Sequence, residues 1–557
     1  MGSINPLDVL IVGAGPVGLA LALDLGRRGI RSTIIERNHS TGTEIIAKAS
    51  VLNERTMEFC RLLGIRDEVA HAGFPDDLPG DTVFCTSLNG KFIGRLSMPS
   101  ARDRDLPTQC CEMLQRCPQF MFDPVLARAV LRQGMANIRY GIELLECKEV
   151  DAGVTCHLKH VDDSEVEEVR ARYVVGCDGP TSAVRSALGI SFDGKTLGFP
   201  VSVIVRIEDL DRYHPLGLAE RYLFIGPEGT WGNFTTIDGR SLHRFSVVGL
   251  EEKVDLASLD MDALVRKAFG RDGIDYELMR AHQWRRSQCV AEKYSEGRVF
   301  LAGDSAHTMS PTGGHGLNTG MGDVMDLSWI LQALLEGWGG PGLIAAYNTE
   351  RRPVAIRNGS GSTRNLGIWI DRQGRDKVLD EGAEADEQRQ ALGDKMATNL
   401  RQEFQSLGLA LGYNYAASPL IVSDGSLAPT DEPDVYIQTA RPGHRAPHCW
   451  LRDGSSTLDL FGGGFVLLSF GTDVPDDRRI EDAARRVCIP LRYVTITEPE
   501  PAKLYETRLV LVRPDGMVAW RGDSLPDNVQ ELLDRVRGAS PVDQGTQGDH
   551  PLLVSGS

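Results

Sequence analysis

The first hydrophobic and polar positions of the chain predict a strand, a helix and a second strand in close succession. The apolar run LDVLIV at residues 7–12 is short and rich in β-branched residues, which favours a buried strand. The sequence LALALDLGRRG at residues 19–29 predicts a buried helix that ends at Gly29, and RSTIIE at residues 31–36 predicts the next strand. This order is typical of the start of a Rossmann-like α/β domain.

The turn between the first strand and the helix has the sequence GAGPVG, the pattern of a dinucleotide-binding turn. Gly13 permits the tight turn, Gly15 lets the backbone approach a pyrophosphate, and Gly18 lets the helix pack closely on the strand. Glu36 ends the second strand about 20 residues later, where a carboxylate can accept both ribose hydroxyls. The pattern fits either FAD or NAD(P). The predicted cofactor contacts of this unit are Gly13, Gly15, Pro16, Val17, Gly18, Glu36 and Arg37.

Two later segments repeat the form of a strand followed by a turn. YVVGCDGPTSAVR at residues 173–185 places Asp178 at such a turn. GRVFLAGDSAH at residues 297–307 places Gly303 and Asp304 at another. We therefore expect three strand ends to meet the same dinucleotide, with Asp304 beneath its central part.

The glycine-rich sequence PTGGHGLNTGMGD follows the last of these turns and leads into an amphipathic helix. Gly313, Gly314 and Gly316 would let the main chain run against a flat ring system without side chains in the way. Backbone N–H groups near Leu317 and Asn318, at the start of the helix, are suited to stabilising negative charge on such a ring.

Further strand and helix patterns predict the domain organisation. A second sheet is best seen in FPVSVIVRIEDL, RYLFIG, GTWGNFTTI and LHRFSVVGL. The chain then turns polar and helical, and a further strand, helix, strand, hairpin and helix run from GFVLLSF to DNVQELLDRVRG. We predict a cofactor domain interleaved with a substrate domain over residues 1–355 (substrate sheet about 80–115 and 190–290), a helical linker over 356–410, and a C-terminal domain with a disordered tail over 411–557.

Composition and charge narrow the function classes. The 557 residues are 41% hydrophobic and 25% charged, as in an ordinary globular protein. The formal net charge of -17 argues against a nucleic-acid partner. The 11 cysteines include no C-x-x-C pair, so neither a metal site nor a disulfide framework is expected. The first residues lack the features of a signal peptide, and no apolar run approaches a membrane span, which predicts a cytoplasmic location without membrane insertion.

Three motifs together resemble a known family. They are GxGxxG at residues 13–18, DG at 178–179 and GD at 303–304, accompanied by LNERTMEFCRLLGI at 52–65 and YNTERRPVA at 347–355. In this order they are similar to the class A, single-component FAD-dependent aromatic hydroxylases of the para-hydroxybenzoate hydroxylase fold. The resemblance extends over nearly the whole chain, and the C-terminal pattern resembles the thioredoxin-like domain of the phenol hydroxylase branch. The implied fold is α/β (α+β mixed), with a Rossmann-like FAD domain interleaved with a β-sheet substrate domain.

The resemblance implies the cofactor and the reaction. The chain would bind FAD non-covalently and use NAD(P)H as a co-substrate without a separate domain for it. It would hydroxylate a small phenolic or aromatic substrate with dioxygen through a flavin C4a-hydroperoxide. Baeyer–Villiger chemistry, oxygenation of a polyketide ring, a flavin oxidoreductase that does not oxygenate and a non-catalytic FAD-stabilised protein are the alternatives. The resemblance leaves a homodimer open, and it specifies neither the substrate nor the preference between NADH and NADPH.

The resemblance also implies roles for single residues. Gln119 would contact the flavin side of the cofactor, Pro311 would lie near its reactive edge, and Leu317 and Asn318 would meet its pyrimidine end. Lys48 stands where relatives have arginine, which alters a contact to pyrophosphate or nicotinamide. The catalytic base is not identified. The substrate-side candidates are Lys48, Ser50 and Trp231, and the cofactor contacts beyond the first unit are Lys48, Gln119, Asp178, Gly303, Asp304, Pro311, Gly314, Gly316, Leu317 and Asn318.

Overall fold

The structure is a computed structural model that describes residues 6–41, 48–471 and 478–539. The predicted disordered tail lies outside these residues. The first ten strands are β1 (Leu7–Val12), β2 (Ser32–Glu36), β3 (Val51–Leu52), β4 (Thr82–Cys85), β5 (Phe92–Leu96), β6 (Gln115–Arg116), β7 (Ala136–Tyr140), β8 (Ile142–Val150), β9 (Gly153–His160) and β10 (Val166–Gly176). The next ten are β11 (Phe192–Gly198), β12 (Val201–Arg206), β13 (Arg221–Gly226), β14 (Gly229–Thr236), β15 (Leu242–Val247), β16 (Glu277–Gln283), β17 (Arg286–Ala291), β18 (Ser295–Glu296), β19 (Val299–Leu301) and β20 (His307–Thr308).

The remaining strands belong to the C-terminal region, and the helices are distributed along the whole chain. The strands are β21 (Phe465–Phe470), β22 (Leu491–Ile496), β23 (Leu509–Val512) and β24 (Val518–Gly522). The first helices are α1 (Pro16–Arg27), α2 (Glu54–Leu62), α3 (Arg66–Ala70), α4 (Gln119–Gln133), α5 (Ala183–Ala187), α6 (Met261–Phe269) and α7 (His315–Glu336). The later helices are α8 (Gly342–Ile370), α9 (Ala383–Phe404), α10 (Leu407–Leu411), α11 (Arg479–Arg486), α12 (Pro499–Tyr505) and α13 (Val529–Val536).

The cofactor domain is built on an eight-stranded sheet. Its order is β18-β19-β10-β1-β2-β7, with β8 and β9 attached to β10. The strands β19, β10, β1, β2 and β7 run parallel, so their carboxyl ends share one edge. The apolar positions of β1 and α1 are buried together, for example Leu10, Leu19 and Leu21. The predicted strands at the start of the chain and the helix between them are confirmed, and the carboxyl edge of this sheet carries the three predicted turns.

A seven-stranded sheet forms the second unit, in the order β16-β12-β15-β14-β13-β4-β5. All four strands predicted for this sheet are present. One face is apolar and packs on α6, where Val203, Phe234 and Phe245 meet Phe269. Because side chains alternate along a strand, Ile204 and Arg244 lie on the opposite face. There Ile204 packs near Phe120 of α4, so this second face is turned toward the cofactor domain.

Two long helices connect the cofactor region to the C-terminal region. Helix α8 has 29 residues and continues through Pro353 to Ile370, so the predicted domain boundary at residue 355 falls inside a helix. Helix α9 contacts strand β5 of the seven-stranded sheet, where the Cα of Gly393 lies against Gly94. The polar composition of this region therefore belongs to helices that brace the substrate sheet.

The C-terminal domain has the topology predicted for a thioredoxin-like unit. Its sheet has the order β22-β21-β23-β24, with β21 and β22 parallel and the other pairs antiparallel. Helix α12 was not predicted from the sequence. Phe465 of this sheet packs edge-on against Trp329 and Trp338 of the cofactor domain. Within the described parts of the chain, no helix is both long and apolar enough to cross a lipid bilayer.

Candidate active site

The glycine turn after β1 combines two crowded positions with one open position. Gly13 has a φ of 106°, and a Cβ there would lie 2.5 Å from the carbonyl oxygen of Cys177. A Cβ on Gly18 would overlap the carbonyl oxygen of Gly13. Gly15, at the N-cap of α1, has no atom within 4 Å of the place where a Cβ would be built. The backbone is therefore open at Gly15, while its neighbours are fixed by packing.

Glu36 is held beside this turn by backbone donors. Its Oε2 accepts the Ala14 N–H at 2.9 Å, and its Oε1 accepts the Asn38 N–H at 2.9 Å. Oε1 also accepts the side-chain Nδ2 of Asn38 at 2.7 Å. Oε2 keeps a second lone pair, so the side chain can still accept a hydroxyl hydrogen. Arg37 is exposed. The structure thus brings Glu36 to the glycine turn, as the spacing predicts.

The GD turn at Gly303 and Asp304 lies against the start of α1. Gly303 has a φ of 63°, and a Cβ on it would come within 2.8 Å of the side chain of Val17. Asp304 is exposed to solvent, yet the protein that surrounds it raises the pKa of its carboxyl, an effect that His307 and Lys48 oppose. A carboxyl that is open to solvent but has protein on most sides is expected in a cleft, so Asp304 lies in one.

A buried carboxylate that the sequence reasoning missed holds the GD turn in place. Asp323 of α7 accepts the Gly303 N–H at 3.0 Å and the His307 Nε2 at 2.9 Å through Oδ2. Its Oδ1 accepts the Arg351 Nε at 2.8 Å. Arg351 also donates to the hydroxyl of Tyr415 at 2.8 Å. The final letters of the motif PTGGHGLNTGMGD include this residue, but only the three-dimensional contact shows its function.

The DG turn is joined to the GD turn. Asp178 Oδ2 accepts the N–H groups of Ala183 at 2.7 Å and of Val184 at 3.2 Å. Its Oδ1 is buried and has no hydrogen-bond partner within the described residues. Arg185 donates from Nη1 to the carbonyl oxygen of Ser305 at 2.7 Å. Asp178 therefore orders the turn, and Arg185 ties that turn to the one beside it.

The glycine loop that follows the GD turn is fixed against β3. Gly313 and Gly314 have φ angles of 90° and 69°, which favour glycine. The side chain of Asn318 accepts the Asn53 N–H at 2.9 Å and donates to the carbonyl oxygen of Val51 at 2.9 Å. The amide of Asn318 is thus used by the protein, and the first N–H groups of α7 remain available to a ligand.

The remaining parts of the loop are placed as follows. Pro311 is exposed and accepts the Gly314 N–H at 3.0 Å. The nearest atom to a Cβ on Gly316 is the Cγ of Met309 at 3.7 Å, so this position is roomy. Leu317 packs on the main core. Of Pro311, Gly316 and Leu317, only Leu317 has a side chain that packs in the hydrophobic core.

Gln119 lies beside the segment that contains Lys48. Gln119 donates its backbone N–H to Ala49 at 2.8 Å and its Nε2 to Asp123 at 3.0 Å. Burial raises the pKa of Asp123 to about 7, although Gln119 and the charge of Lys48 oppose this rise. Lys48 is exposed, and its charge reaches both Asp123 and Asp304. The Lys48 ammonium is therefore an exposed positive charge near two of the predicted cofactor-binding segments.

Ser50 and Trp231 are not brought together. Ser50 Oγ accepts the Arg116 Nη1 at 3.0 Å, and Arg116 in turn forms an ion pair with Glu220. Trp231 stacks on Phe224 with ring centroids 5.2 Å apart, within the apolar face that packs on α6. Trp231 therefore lies on the face of the substrate sheet that is turned away from the cofactor domain, as a core aromatic residue.

Glu403, near the end of α9, links the glycine loop to the substrate sheet, and sequence reasoning did not identify it. Its Oε1 accepts the Arg221 Nη1 at 2.8 Å and the Gly313 N–H at 3.4 Å. Its Oε2 accepts the indole N–H of Trp369 at 2.9 Å. Glu403 is 90 residues from Gly313 in the chain, and no local pattern indicates the contact. The polar face of the sheet thus lies beside the loop.

The residues at this edge fit FAD. The helix N-terminus at Gly15 has no side-chain cap, and its open backbone leaves room for a pyrophosphate. Glu36 is oriented for a ribose, Asp304 faces a cleft, and the loop from Gly313 presents backbone to a flat ring. Among the described residues, the acidic group that could hold a metal is Asp326, Glu350 and Asp515, and Arg513 already binds two of its members. That group is thus a buried ion network.

Comparisons with known proteins agree with this geometry. A model of the FAD binding domain matches residues 6–360, and a model of the aromatic-ring hydroxylase C-terminal domain matches residues 439–540. The FAD-dependent monooxygenase apdD of Emericella nidulans is 32% identical over 98% of this chain and 92% of that protein. The 2,4-dichlorophenol 6-monooxygenase of Delftia acidovorans is 30% identical over 95% and 98%, respectively.

A solved structure gives the same result at the level of the fold. The rebeccamycin biosynthetic enzyme RebC with reduced flavin superposes with a TM-score of 0.87 at 37% identity, covering 96% of this chain and 100% of that one. The predicted fold, cofactor and enzyme class are therefore confirmed. The chain belongs to the single-component FAD-dependent aromatic hydroxylases, and it is a monooxygenase that uses NAD(P)H and dioxygen to hydroxylate an aromatic ring.

Proposed function

We propose that the aromatic substrate binds between the glycine loop and the polar face of the seven-stranded sheet, with FAD along the carboxyl edge of the eight-stranded sheet. The contact of Glu403 with both Gly313 and Arg221 carries this proposal. It joins the loop that is suited to a flat cofactor ring to the sheet face that is turned toward the cofactor domain. A substrate in this position would lie between the two units, where ligand sites are common.

The cofactor roles follow from the same placement. Gly15 and the start of α1 receive the pyrophosphate, Glu36 accepts the ribose hydroxyls, and Asp304 faces the ribityl chain. Lys48 supplies a positive charge near these groups, and Gln119 is oriented by Asp123. The backbone of Gly314 and Gly316 and the first N–H groups of α7 contact the ring system. Bound FAD supplies electron transfer from NAD(P)H and the activation of dioxygen.

The protein's own groups orient the substrate. Ser50 is held by Arg116 as a hydrogen-bond acceptor, so its hydroxyl hydrogen can point to a substrate oxygen. Such a bond positions a phenol without removing its proton. The arginines of the sheet face favour the ionised form of a substrate hydroxyl, because a nearby positive charge lowers the pKa of an acid. This arrangement does not require a histidine or a carboxylate as the base.

The test of this function is product formation by the FAD-loaded protein. Purified protein would be mixed with NADPH, air-saturated buffer and a panel of phenols and polycyclic aromatic compounds, and dioxygen uptake and hydrogen peroxide would be measured. We expect uptake that matches a product heavier by one oxygen atom, with a new ring hydroxyl by NMR. A lactone or a ring-expanded product would establish the Baeyer–Villiger alternative, and peroxide without a product from every compound would favour an oxidase.

Two properties of the whole protein belong to the same proposal. A homodimer is supported by exposed apolar side chains near the start of the C-terminal region, where Leu427 is 95% exposed and Val435 and Ile437 are each 49% exposed. Light scattering during gel filtration tests it.

A cytoplasmic location is supported by the 11 cysteines, all of which are free thiols. Fractionation of cells tests the location.

A further inference from the structure

Four arginines gather where the substrate sheet faces the cofactor domain. Arg244 and Arg221 flank Thr235 in one cross-strand row, on the face opposite Phe245. Arg116 and Arg286 reach the same place from β6 and β17, since the charges of all three other arginines act on Arg244. So many guanidinium groups inside a protein are unusual, because buried charges are normally paired.

The carboxylates in this place are too few to balance the arginines. Glu220 forms an ion pair with Arg116, and Glu403 forms one with Arg221. Arg244 and Arg286 have no acidic partner within the described residues, and the Nε of each is buried without an acceptor. Two positive charges therefore remain in excess.

The pKa values of the two unpaired arginines, Arg244 and Arg286, are lowered. Burial lowers the pKa of Arg286 to about 10. Burial, followed by repulsion from Arg221, Arg286 and Arg116, lowers the pKa of Arg244 to about 10. Both arginines remain charged at neutral pH, so the folded protein carries an unfavourable charge here that an anion would relieve. No stability argument explains why such residues would be present without a ligand.

The position of the cluster links it to the substrate. Arg221 shares Glu403 with the N–H of Gly313, and Arg116 holds Ser50. Strand β17, which begins at Arg286, pairs with β20 immediately after the GD turn. The pyrophosphate position at Gly15 is at the other end of the predicted cofactor and has its own helix N-terminus. The excess charge therefore faces the ring end of the site.

We propose that Arg244 and Arg286 bind a carboxylate of the aromatic substrate, so that the natural substrate is an aromatic acid. This inference rests on the proposed substrate position. A guanidinium fork matches the two oxygens of a carboxylate, and such charge-assisted bonds are the strong ones. The centroid of the Trp284 ring lies 5.5 Å from the Arg286 guanidinium, which is a cation–π distance. Substrate recognition would then use the acid group and the ring together.

The test compares a matched acid and amide on the FAD-loaded protein. Isothermal titration calorimetry would measure the binding of 2-naphthoate and of 2-naphthamide, which differ in charge but little in shape. We expect the acid to bind about tenfold or more tightly than the amide, because two charge-assisted contacts are present in one ligand and absent in the other. Equal affinity of the wild-type protein for the two compounds would overturn the proposal, and this comparison needs no variant.

Variants locate the contact. Arg244→Gln and Arg286→Gln are each expected to weaken 2-naphthoate binding about tenfold and to leave 2-naphthamide unchanged. Arg244→Lys, which keeps the charge, should retain part of the preference. Arg266→Gln on the outer helix α6 is the control and should change the affinity for neither ligand.

If the variants raise only the KM for NADPH, the four arginines bind NADPH and the proposal is wrong. Binding is measured without turnover, so a failure of the proposed reaction would be seen separately as an absence of dioxygen uptake.

Discussion

The side-chain position of Gly15 is empty, whereas those of Gly13 and Gly18 are occupied by the backbone. The three glycines of one motif therefore serve different purposes. Two of them are needed for the turn to fold, and the third is needed only when a phosphate approaches. A substitution at each position should thus affect a different property of the protein.

Gly15→Val separates cofactor binding from folding. The backbone at Gly15 has a φ of -75° and a ψ of 178°, which a β-branched residue adopts readily, and no protein atom lies within 4 Å of the position of its Cβ. We expect the melting temperature of the FAD-free protein to change by less than about 2 °C and the FAD content after purification to fall about tenfold or more. Absorbance at 450 nm and thermal melts measure both. Gly463→Val, at another open glycine, is the control, and full FAD content in Gly15→Val would contradict the assignment.

Asp323 offers a test that separates the effect of a buried charge from the effect of helix packing. Burial alone would raise the pKa of Asp323, but the charges of His307 and Arg351 outweigh that effect and hold the pKa below its ordinary value. The stability contributed by the ionised carboxylate is complete above the unfolded pKa of about 4 and is lost as pH falls through the lower folded-state pKa. Asp323→Asn leaves the Arg351 charge uncompensated, so we expect a loss of about 3–5 kcal/mol in urea unfolding at pH 7.

The control for Asp323→Asn lies one turn further along α7. Burial raises the pKa of Asp326 well above its ordinary value, so this carboxyl favours its neutral form. Asp326→Asn replaces it with a neutral amide of similar shape and should cost about 1 kcal/mol or less. Equal losses from the two substitutions would show that helix packing matters here and the charge on Asp323 does not.

Sequence patterns specify elements better than they specify the contacts between them. RYLFIG and LHRFSVVGL predicted β13 and β15 because both are short runs rich in aromatic and branched apolar residues, and these residues are buried in the strands. Glu36 was predicted from its spacing to the glycine turn and Asp304 from the turn that follows a strand, and both patterns are local in the sequence. Asp323, Glu403 and the unpaired Arg244 could not be found in this way, since each acts on a segment far away in the chain. Their importance comes from burial, which a single sequence does not reveal for a charged residue.

Helix α9 offers a test of such a contact between elements. Glu403→Gln removes the charge opposite Arg221 and one acceptor at the glycine loop, while Trp369 can still donate to the amide oxygen. We expect FAD content to be retained and the yield of hydroxylated product per NADPH oxidised to fall about tenfold, with hydrogen peroxide making up the difference. Glu387→Gln on the exposed side of α9 is the matched control. Normal coupling in Glu403→Gln would show that the loop is positioned without this carboxylate.

The two halves of the whole molecule are joined by buried charge. Arg513, at the hairpin between β23 and β24, donates to Glu350 of α8 at 2.6 and 2.8 Å, and it also pairs with Asp515. The side chains of Arg513 and Glu350 are both 0% exposed. Arg55 of α2 reaches across to the carbonyl oxygen of Asp515 at 2.7 Å. The C-terminal domain therefore docks through a fixed polar network within an apolar interface.

Removal of the central arginine should weaken this docking. Arg513→Met leaves two buried carboxylates without their cation, so we expect a loss of about 3–5 kcal/mol and a transition that splits into two steps in urea. Tryptophan fluorescence would follow the interface, since Trp329 donates to Asp515 at 3.2 Å. Arg508→Met, an exposed position in the same domain, should behave like the wild-type protein. A single unchanged transition for Arg513→Met would show that apolar packing alone secures the docking.

The bond between Arg351 and Tyr415 has a consequence for how such enzymes diversify. The tyrosine lies outside the span matched by the FAD-binding model, yet it steadies the arginine that braces the GD turn. Recombination between relatives at the end of the matched span would exchange Tyr415 and Glu403 along with the terminal domain. Hybrid enzymes assembled at that point would inherit a cofactor pocket and its supports from different parents. A junction after Tyr415 would keep both supports with the pocket they serve, and hybrids joined there should retain flavin more often.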